Sequence, residues 1–437
     1  MFFGRRPHNE SVTRISVGGF KSIAKEQSID IRPLTILAGA NSSGKSSMMQ
    51  PLLLAKQTLA AEADPGVFLL YGPNVKFTEG PQLLTKSSGK SPIASRFTFG
   101  VWTDKSNAVR VTYQYESRGF AIQEMVYELP GQRFVLHEGD SHKAIAAELP
   151  RWLRSLPGRL SRKAKWSVER NRCFLSAAIT EPHSRARGMR LAPYGPPVDS
   201  ISTLIHLPGL RGNPERTYPV RAVGPNFPGV FHEYVASLIL RWQHEKSEEL
   251  ARLANDLDLL RLTWKVVATP IDDTQVELRV GRLGHGARGG AQDLVSIADV
   301  GVGVSQTLPV LVALRAARPG QLVYIEQPEI HLHPRAQVDL AAILADAAKR
   351  GVRVVAETHS ALLLLGIQTL VAKGDLDPSL VALHWFERDK DGCTKVSSRD
   401  LDEKGAFGDW PEDFDTTELK AGNDYLDAVE ARESGHE

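Results

Sequence analysis

The segment LTILAGANSSGKS, residues 34–46, decides the fold of this chain. Its first five residues form a short, apolar, β-rich run that is typical of a buried strand. Residues 39–46, GANSSGKS, match the pattern G-x-x-x-x-G-K-[ST] at every defined position. The residues that follow, SSMMQPLLLAKQTLAAEA at 46–63, have the composition of a helix. A strand, a glycine-rich loop and a helix in this order predict a phosphate-binding loop, with a purely structural glycine turn as the alternative.

The chemistry of this loop predicts ATP and Mg²⁺ as cofactors. Glycines allow backbone N–H groups to point at a phosphate, and the N-terminal end of the following helix favours the same anion. Lys45 is expected to contact the β- and γ-phosphates, and the hydroxyl of Ser46 is expected to bind Mg²⁺. The predicted nucleotide-binding residues of the loop are Gly39, Ala40, Asn41, Ser42, Ser43, Gly44, Lys45, Ser46 and Ser47.

A second hydrophobic strand, in VYIEQPEIHLHP at 323–334, ends in carboxylates. We predict Glu326 as the acid of the metal site, because P-loop ATPases hold Mg²⁺ with a carboxylate at a strand end. Gln327 occupies the next position, where a general base is expected. Its amide can orient a water molecule but cannot take its proton. Glu329 is the nearest remaining carboxylate, and it either supplies the base or only caps the following turn.

A third strand, VRVVAETHS at 352–360, also carries polar residues at its carboxyl end. A histidine at the end of a strand beside the phosphate strand can stabilise a γ-phosphate. The alternative for His359 is a core histidine with satisfied hydrogen bonds. The predicted catalytic residues are therefore Glu326, Gln327, Glu329 and His359, and the predicted metal ligands are Ser46 and Glu326.

The overall composition excludes several classes of protein. The 437 residues are 42% hydrophobic, which suffices for a core. No run approaches the roughly 18 apolar residues of a membrane span, and the N-terminus lacks an apolar signal core. We therefore expect a cytoplasmic protein without membrane contact. Two cysteines, Cys173 and Cys393, cannot build a disulfide framework or a cysteine-rich zinc site.

Charge is unevenly distributed along the chain. The net charge is +2, but residues 151–190 contain eleven Lys and Arg against two acids. Residues 400–437 contain thirteen acids against three Lys and Arg. The basic block, Arg151 to Arg190, indicates contact with a polyanion such as DNA, and its Trp152 and Trp166 are candidates for stacking on bases. The alternative is a pair of oppositely charged solvated faces.

The hydrophobic pattern predicts an α/β protein assembled from both ends of the chain. Residues 92–135 alternate polar and apolar, which favours antiparallel strands. Residues 191–230 are rich in Pro and Gly and are predicted to be loop, and residues 231–260 to be two helices. Strand–helix alternation after residue 295 predicts a parallel sheet covered by helices. The predicted units are a head from 12–135 and 265–395, a mixed, partly helical insertion at 136–264, and an acidic C-terminal region at 396–437.

Six stretches together carry a family resemblance: residues 18–47, 206–219, 297–314, 324–337, 354–360 and the tail HWFERDKDG…DWPEDF within 384–414. They resemble the ATP-binding-cassette-type heads of RecF, structural-maintenance-of-chromosomes (SMC) and overcoming-lysogenization-defect ATPases. The resemblance is greatest to bacterial AAA-family ATPases of the subgroup that ends in a short domain of unknown function. It implies an ABC-type P-loop ATPase head with an antiparallel β subdomain.

The resemblance also assigns roles to particular positions. Glu326 corresponds to the Walker B acid and His359 to the switch histidine. Residues 301–306, which we call the signature-like loop, correspond to the loop that contacts the γ-phosphate bound by a second subunit. Its predicted nucleotide contacts are Gly301, Gly303, Ser305 and Gln306. Gly301 stands where a serine is common in such loops. The resemblance thus implies a homodimer closed around ATP.

These observations predict an ATP-hydrolysing head that acts with DNA, a nuclease or another effector, in antiphage defence or genome maintenance. The alternative is a non-catalytic, ATP-gated scaffold that recruits or restrains an effector, which Gln327 favours. Asp389 and Asp391 form a D-x-D pattern, but DKDG between two strand-like runs is typical of a hairpin turn. Any nuclease activity is therefore expected from a partner.

Overall fold

The computed structural model describes residues 10–86, 94–149, 154–155, 157–158, 164–180, 189–191, 195–282 and 293–408. The strands are β1 (Val12–Gly18), β2 (Gln27–Asp30), β3 (Leu34–Gly39), β4 (Arg96–Thr103), β5 (Ala108–Glu116), β6 (Gly119–Leu129), β7 (Gln132–Leu136), β8 (Lys165–Asn171), β9 (Phe174–Thr180), β10 (Met189–Leu191), β11 (Ile205–Leu207), β12 (Tyr218–Pro219), β13 (Val266–Pro270), β14 (Gln275–Gly281), β15 (Leu294–Ser296), β16 (Leu322–Glu326), β17 (Arg353–Thr358), β18 (Val381–Arg388) and β19 (Thr394–Arg399). The helices are α1 (Lys45–Ala60), α2 (His142–Glu148), α3 (Pro196–Thr203), α4 (Val235–His244), α5 (Glu248–Leu259), α6 (Val302–Ala316), α7 (Pro334–Lys349) and α8 (Ala361–Ala372).

A six-stranded sheet forms the centre of the head, in the order β11-β16-β17-β3-β18-β19. The first five strands are parallel, and β19 is antiparallel to β18. Every residue of β3 is buried, as expected for a parallel strand covered on both faces. Because the strands are parallel, the segments that follow β3, β16 and β17 meet at one edge of the sheet, where ligands bind in open α/β folds. The predicted parallel sheet is confirmed.

The two faces of this sheet pack against different layers. Alternate residues of β3 point to opposite faces: Leu34 and Ile36 belong to one apolar cluster and Leu37 belongs to the other. Helices α4 to α8 supply the first cluster, and α6 contacts α4, α5 and α7. Helix α1 and the antiparallel strands supply the second cluster. The sheet is thus buried between a helical layer and a mixed layer.

The antiparallel subdomain contains six strands in the order β2-β1-β4-β5-β6-β7, and a three-stranded sheet of β10, β9 and β8 packs beside it. Its interior is aromatic: the rings of Phe97 and Tyr113 stack with centroids 5.0 Å apart. The hydroxyl of Tyr113 donates to the carbonyl of Cys173, 2.7 Å away. The alternating pattern of residues 92–135 therefore indicated antiparallel strands correctly.

The stretch 191–230, predicted to be loop, contains an edge strand of the central sheet. Strand β11 pairs in parallel with β16, with Ile205 opposite Val323. The two predicted helices that follow are confirmed as α4 and α5, and Ser247 caps α5 by accepting the backbone N–H of Glu249. Helices α4 and α5 pack on the core of the head. Part of the segment predicted as an insertion at 136–264 thus belongs to the head itself.

Helix α6, which carries the signature-like loop at its N-terminus, is held by ion pairs at its C-terminal end, of which the one with Asp256 is buried. The Arg315 guanidinium lies 2.6 Å from Asp256 of α5 and 2.8 Å from Asp346 of α7. The side chains of Arg315 and Asp256 are each only 8% exposed. Removing one partner of such a pair is strongly destabilising, because the other charge would be left buried alone. The position of α6 against its neighbours is therefore well defined.

The D-x-D pattern lies in the hairpin between β18 and β19. The carboxylate of Asp389 accepts the backbone N–H groups of Asp391, at 3.0 Å, and Cys393, at 2.9 Å. Asp389 therefore shapes the turn, as predicted. No helix in the described part of the chain has the length and apolar character to cross a bilayer.

Candidate functional site

The phosphate-binding loop has a backbone that requires glycine at two positions. Gly39 and Gly44 adopt φ values of 140° and 108°, which side chains strongly disfavour. A Cβ at Gly39 would lie 2.2 Å from the carbonyl oxygen of Phe386, and a Cβ at Gly44 would lie 2.2 Å from Oγ1 of Thr394. Both glycines of the loop are thus enforced, Gly39 by strand β18 and Gly44 by Thr394 at the start of β19. The loop ends at α1, which begins at Lys45.

Two side chains of this loop are arranged to receive an anion. Nζ of Lys45 donates to the carbonyl oxygens of Gly39 and Ala40, each 2.9 Å away. Burial lowers the pKa of Lys45, and the carboxylates of Glu357 and Glu329 oppose that shift. The hydroxyl of Ser43 is buried without a hydrogen-bond partner among the described residues. An ammonium group held by uncharged backbone carbonyls, and a buried hydroxyl without a partner among the described residues, fit a phosphate group.

Ser46 contacts a carboxylate that the sequence analysis did not assign. Its Oγ lies 3.0 Å from Oε1 and 2.9 Å from Oε2 of Glu357, near the end of β17. The hydroxyl of Tyr324 donates to the same carboxylate at 2.8 Å. Burial raises the pKa of Glu357. Hydroxyl and carboxylate oxygens are the ligands that Mg²⁺ prefers, so these residues fit a nucleotide-bound magnesium ion.

Glu326 lies beside Glu357 but makes different contacts. The two residues are paired in register on β16 and β17. Oε1 of Glu326 lies 3.3 Å from Nε2 of His206, and its Oε2 accepts the backbone N–H of Gly209 at 3.1 Å. Although burial opposes it, the interaction with His206 lowers the pKa of Glu326. The predicted Walker B acid is therefore at the predicted strand end, with its carboxylate turned toward β11.

Gln327 adopts a left-handed backbone conformation, with φ at 45°. Its N–H donates to the carbonyl of Glu357 at 2.7 Å, and the residue lines the cavity beside the loop. Arg211 supports the same turn, because Nη2 donates to the carbonyls of Glu326 at 2.7 Å and Gln327 at 3.3 Å. Both contacts use backbone carbonyls of the turn and not the side-chain amide of Gln327, whose Oε1 would lie 3.5 Å from a Cβ at Gly209.

Arg211 also connects this turn to α6 through Gln306. Nη1 of Arg211 donates to the carbonyl of Gln306 at 3.2 Å, and Oε1 of Gln306 accepts the N–H of Arg211 at 3.3 Å. Nε2 of Gln306 donates to the carbonyl of Gly212 at 2.6 Å. Gln306 is therefore buried in this link, whereas the sequence analysis expected it to contact nucleotide. No local pattern predicted this role for Arg211, which lies within residues 206–219, one of the six stretches that carry the family resemblance.

Glu329 and His359 are connected. One oxygen of Glu329 accepts the hydroxyl of Thr358 at 2.6 Å and the N–H of His359 at 3.1 Å, and the other has no partner among the described residues. Burial raises the pKa of Glu329. Burial and Lys45 lower the pKa of His359, which lines the cavity. Glu329 thus supports the turn after β17, a contact that neither predicted role described.

The phosphate-binding loop, Gln327, Glu357 and His359 line one cavity of about 540 Å³. Arg388 and Lys21, two cations that the sequence analysis missed, complete its wall. Nε of Arg388 donates to the carbonyl of Ser42 at 2.6 Å, and Nζ of Lys21 donates to Oε1 of Gln50 at 2.7 Å. The lining residues are Lys21, Ser22, Asn41, Ser42, Ser43, Gly44, Lys45, Ser46, Ser47, Gln50, Gln327, Glu357, His359 and Arg388.

The signature-like loop does not line this cavity within the described residues. Gly301 precedes the first turn of α6 and is exposed, and the following Val302 is 51% exposed. A Cβ at Gly303 would lie 3.2 Å from the carbonyl of His331, which places the loop beside the segment that follows β16. Oγ of Ser305 donates to the carbonyl of Val302 at 3.0 Å. The N-terminal end of α6 therefore opens to the surface.

The basic block is partly used for structure. Arg172 donates to the carbonyls of Thr58, Leu59 and Ala61 at the end of α1. Arg170 pairs with Asp64 at 2.8 Å. Trp166 is only 2% exposed, so the predicted stacking of this ring on bases is wrong. Much of the block lies outside the described residues, including Arg151, Trp152, Arg159, Arg162, Lys163, Arg185 and Arg187.

A central parallel sheet, a glycine-rich loop before α1 and acids at the ends of β16 and β17 define an ABC-type P-loop ATPase head. Residues 34–365 match the family described as "AAA domain, putative AbiEii toxin, Type IV TA system". The match spans more than half of the chain, which therefore belongs to this family. No curated protein matches the chain.

Several solved structures of SMC heads are similar to this chain. One is an SMC head bound to the C-winged helix domain of ScpA, with 14% identity and a TM-score of 0.48 over 90% of this chain and 98% of that chain. The SMC head domain from Thermotoga maritima has 11% identity and a TM-score of 0.41, covering 89% and 98%. A third, an Smc head with an extended coiled coil bound to the C-terminal domain of ScpA derived from Pyrococcus furiosus, has 11% identity and a TM-score of 0.43, covering 96% and 99%.

Proposed function

We propose that this ATPase head binds ATP with Mg²⁺, pairs with a second copy around the nucleotide and then hydrolyses it. One observation carries the proposal. The phosphate-binding loop, Gln327 and His359 line one cavity, while the exposed start of the signature-like loop is not among its described lining residues. A two-fold dimer would bring that exposed helix end to the partner's nucleotide, since each copy presents both surfaces. The nucleotide would then be enclosed by groups from two protomers.

Each residue of the cavity has a defined task in this proposal. Lys45 exchanges its two loop carbonyls for phosphate oxygens, and Ser46 would hold Mg²⁺ together with a strand-end carboxylate. The ion would supply charge neutralisation between the phosphates. His359, which lines the cavity, would contact the γ-phosphate. Gln327 orients the attacking water. Glu329 holds the backbone of His359 in place through its hydrogen bond.

Nucleotide binding and pairing are tested together by calorimetry and by the mass in solution. We expect wild-type protein to bind ATPγS with Mg²⁺ and to double its mass in light scattering. Lys45→Ala removes a charge-assisted contact of roughly 1.5–3 kcal/mol, so its affinity should fall about 30-fold. Lys56→Ala, in the buried middle of α1, serves as the matched lysine control. A wild-type protein that shows neither heat nor a change of mass would contradict the proposal.

A second candidate function is an ATP-gated scaffold that pairs on ATP without turning it over. Gln327 favours this function, because an amide cannot accept the proton of the attacking water. Steady-state ATPase activity separates the two candidates. Turnover that disappears in Lys45→Ala but persists in Gln327→Ala supports hydrolysis through another carboxylate. Wild-type protein that pairs on ATP but releases no phosphate supports the scaffold.

We further propose that the head acts with DNA or with a nuclease or other effector, in antiphage defence or genome maintenance. The family description names a toxin of a toxin–antitoxin system, which is compatible with an effector role in defence. The basic block 151–190 is the candidate DNA contact. The described Arg170 and Arg172 are occupied by acceptors within the chain, so the proposal depends on the remaining cations.

DNA binding through this block predicts a strong dependence on salt. The logarithm of the affinity should fall linearly with the logarithm of the salt concentration, by about 0.9 for each phosphate contacted. Replacing four cations of the block by glutamine should reduce the slope by up to about 3–4 units. These residues are Arg159, Arg162, Lys163 and Lys165. An unchanged affinity and slope in this variant, measured by fluorescence anisotropy, would remove the basic block from the proposal.

A further inference from the structure

Two neighbouring strands bring a carboxylate to the edge of the sheet, and their carboxylates face in different directions. Glu326 and Glu357 are paired in register on β16 and β17. Ser46 donates its hydroxyl to Glu357, with Oγ within 3.0 Å of both carboxylate oxygens. The carboxylate of Glu326 instead contacts His206 and the N–H of Gly209, on the β11 side of β16. The phosphate-binding loop is therefore contacted by the acid of β17.

The surroundings of Glu357 hold its carboxylate in this orientation. Tyr324 is fully buried and donates its hydroxyl to Oε2 at 2.8 Å. Glu357 itself is only 6% exposed, so few other positions are open to its side chain. Charge-assisted hydrogen bonds of this kind are stronger than neutral ones. Ser46 and Tyr324 together therefore fix the carboxylate toward the loop.

The same corner offers groups that a bound metal–phosphate would satisfy. Glu357 is buried beside Glu326, whose side chain is 26% exposed, and neighbouring like charges repel unless a cation lies between or beside them. Ser43, which is 3% exposed, lines the same cavity with a hydroxyl that has no partner among the described residues. In P-loop ATPases the hydroxyl after the loop lysine and a strand-end acid share the Mg²⁺ ion. Here the acid that reaches this hydroxyl is Glu357.

We propose that Glu357, and not Glu326, is the carboxylate that holds the Mg²⁺ of bound ATP together with Ser46. Glu326 has a different task, which is to anchor the segment after β11 through Gly209 and His206. The acid of the metal site has thus moved from β16 to the adjacent strand β17. This inference rests on the proposed function, since it requires a nucleotide in the cavity.

Nucleotide binding with and without metal tests the assignment. ATPγS is titrated by calorimetry into the full chain in excess EDTA and in excess MgCl₂, and the ratio of the two dissociation constants measures the contribution of Mg²⁺. Glu357→Gln should reduce this ratio by about 10- to 100-fold, the usual cost of losing a metal-site partner. Its affinity in EDTA should stay within about threefold of wild type. Manganese EPR on the ATPγS complex provides a second readout, in which the same variant should bind Mn²⁺ more weakly.

Glu326→Gln is the matched control, because its amide can still accept from Gly209 and contact His206. Its ratio should equal that of wild type. A reduced ratio in Glu326→Gln with a normal ratio in Glu357→Gln would overturn the assignment, as would equal losses in both. If Glu357→Gln does not fold, Glu357→Asp retracts the carboxylate from Ser46, and an unchanged ratio in that variant would equally contradict it. Absence of ATPγS binding by wild-type protein in both buffers would instead contradict the proposed function.

Discussion

Replacing Gly301 by aspartate is expected to prevent ATP-dependent pairing and to reduce turnover by about 10²–10³-fold, the usual cost of removing electrostatic stabilisation of a reacting oxyanion. The new carboxylate would stand at the N-terminal end of α6, where the proposed dimer receives the γ-phosphate of the other copy. Two negative groups at that position repel each other. Nucleotide binding by the separate protomer should remain, because Gly301 does not line its cavity.

The fold should tolerate this substitution. Gly301 has φ −60° and ψ 149°, which any residue adopts, and a Cβ there would meet nothing within 4 Å. Aspartate is also a favourable residue at the start of a helix. Gly224→Asp is the matched control, since Gly224 is exposed and equally open. Light scattering with ATPγS and a steady-state assay give the readouts. A Gly301→Asp protein that still pairs and turns over ATP would show that α6 does not face the partner's nucleotide.

Replacing Gln327 by glutamate is expected to raise the catalytic rate by about 100-fold. A positioned general base contributes about 10²–10⁴-fold, and an amide supplies none of it. The substitution is nearly isosteric. The turn that holds Gln327 depends on backbone contacts with Arg211 and Glu357, so it should survive the change. The glutamate would therefore occupy the place of the amide.

The rate should be measured under saturating ATP, so that binding differences do not contribute. Gln327→Ala controls for the loss of the amide, and Lys45→Ala in the Gln327→Glu background controls for contaminating activity. An unchanged rate in Gln327→Glu would mean that another group already takes the proton, and Glu329→Gln then becomes the informative variant. The outcome thus separates a weakly active enzyme from one with a displaced base.

The central features of the head were predictable from sequence because each has a strong local signal. The loop GANSSGKS has a pattern with fixed positions, and the strand before it is a continuous apolar run. Strand β11 was missed because three residues between Pro- and Gly-rich segments give no periodicity. It is defined by its pairing with β16, which is a long-range contact.

The contacts within the site were less predictable. Glu357 was visible in the sequence beside His359, but its partner Ser46 lies 311 residues away. Sequence also could not show that Glu326 turns toward His206, since the direction of a strand-end side chain depends on its neighbours across the sheet. In the same way, Trp166 and Arg172 had the composition of a nucleic-acid surface, although one is buried and the other caps α1.

The order of strands in the central sheet has a consequence for biosynthesis. Arg32, just before β3, donates to the carbonyl of Val381, the first residue of β18, across 349 residues of sequence. At the ribosomal rate of about 5–20 residues per second, β3 waits roughly 20–70 s for this neighbour to be translated. The nascent phosphate-binding loop emerges early, whereas strand β18, which pairs with β3 beside it, is translated late. We therefore expect newly made chains to need chaperone protection during that interval. We also expect a long lag before they retain nucleotide.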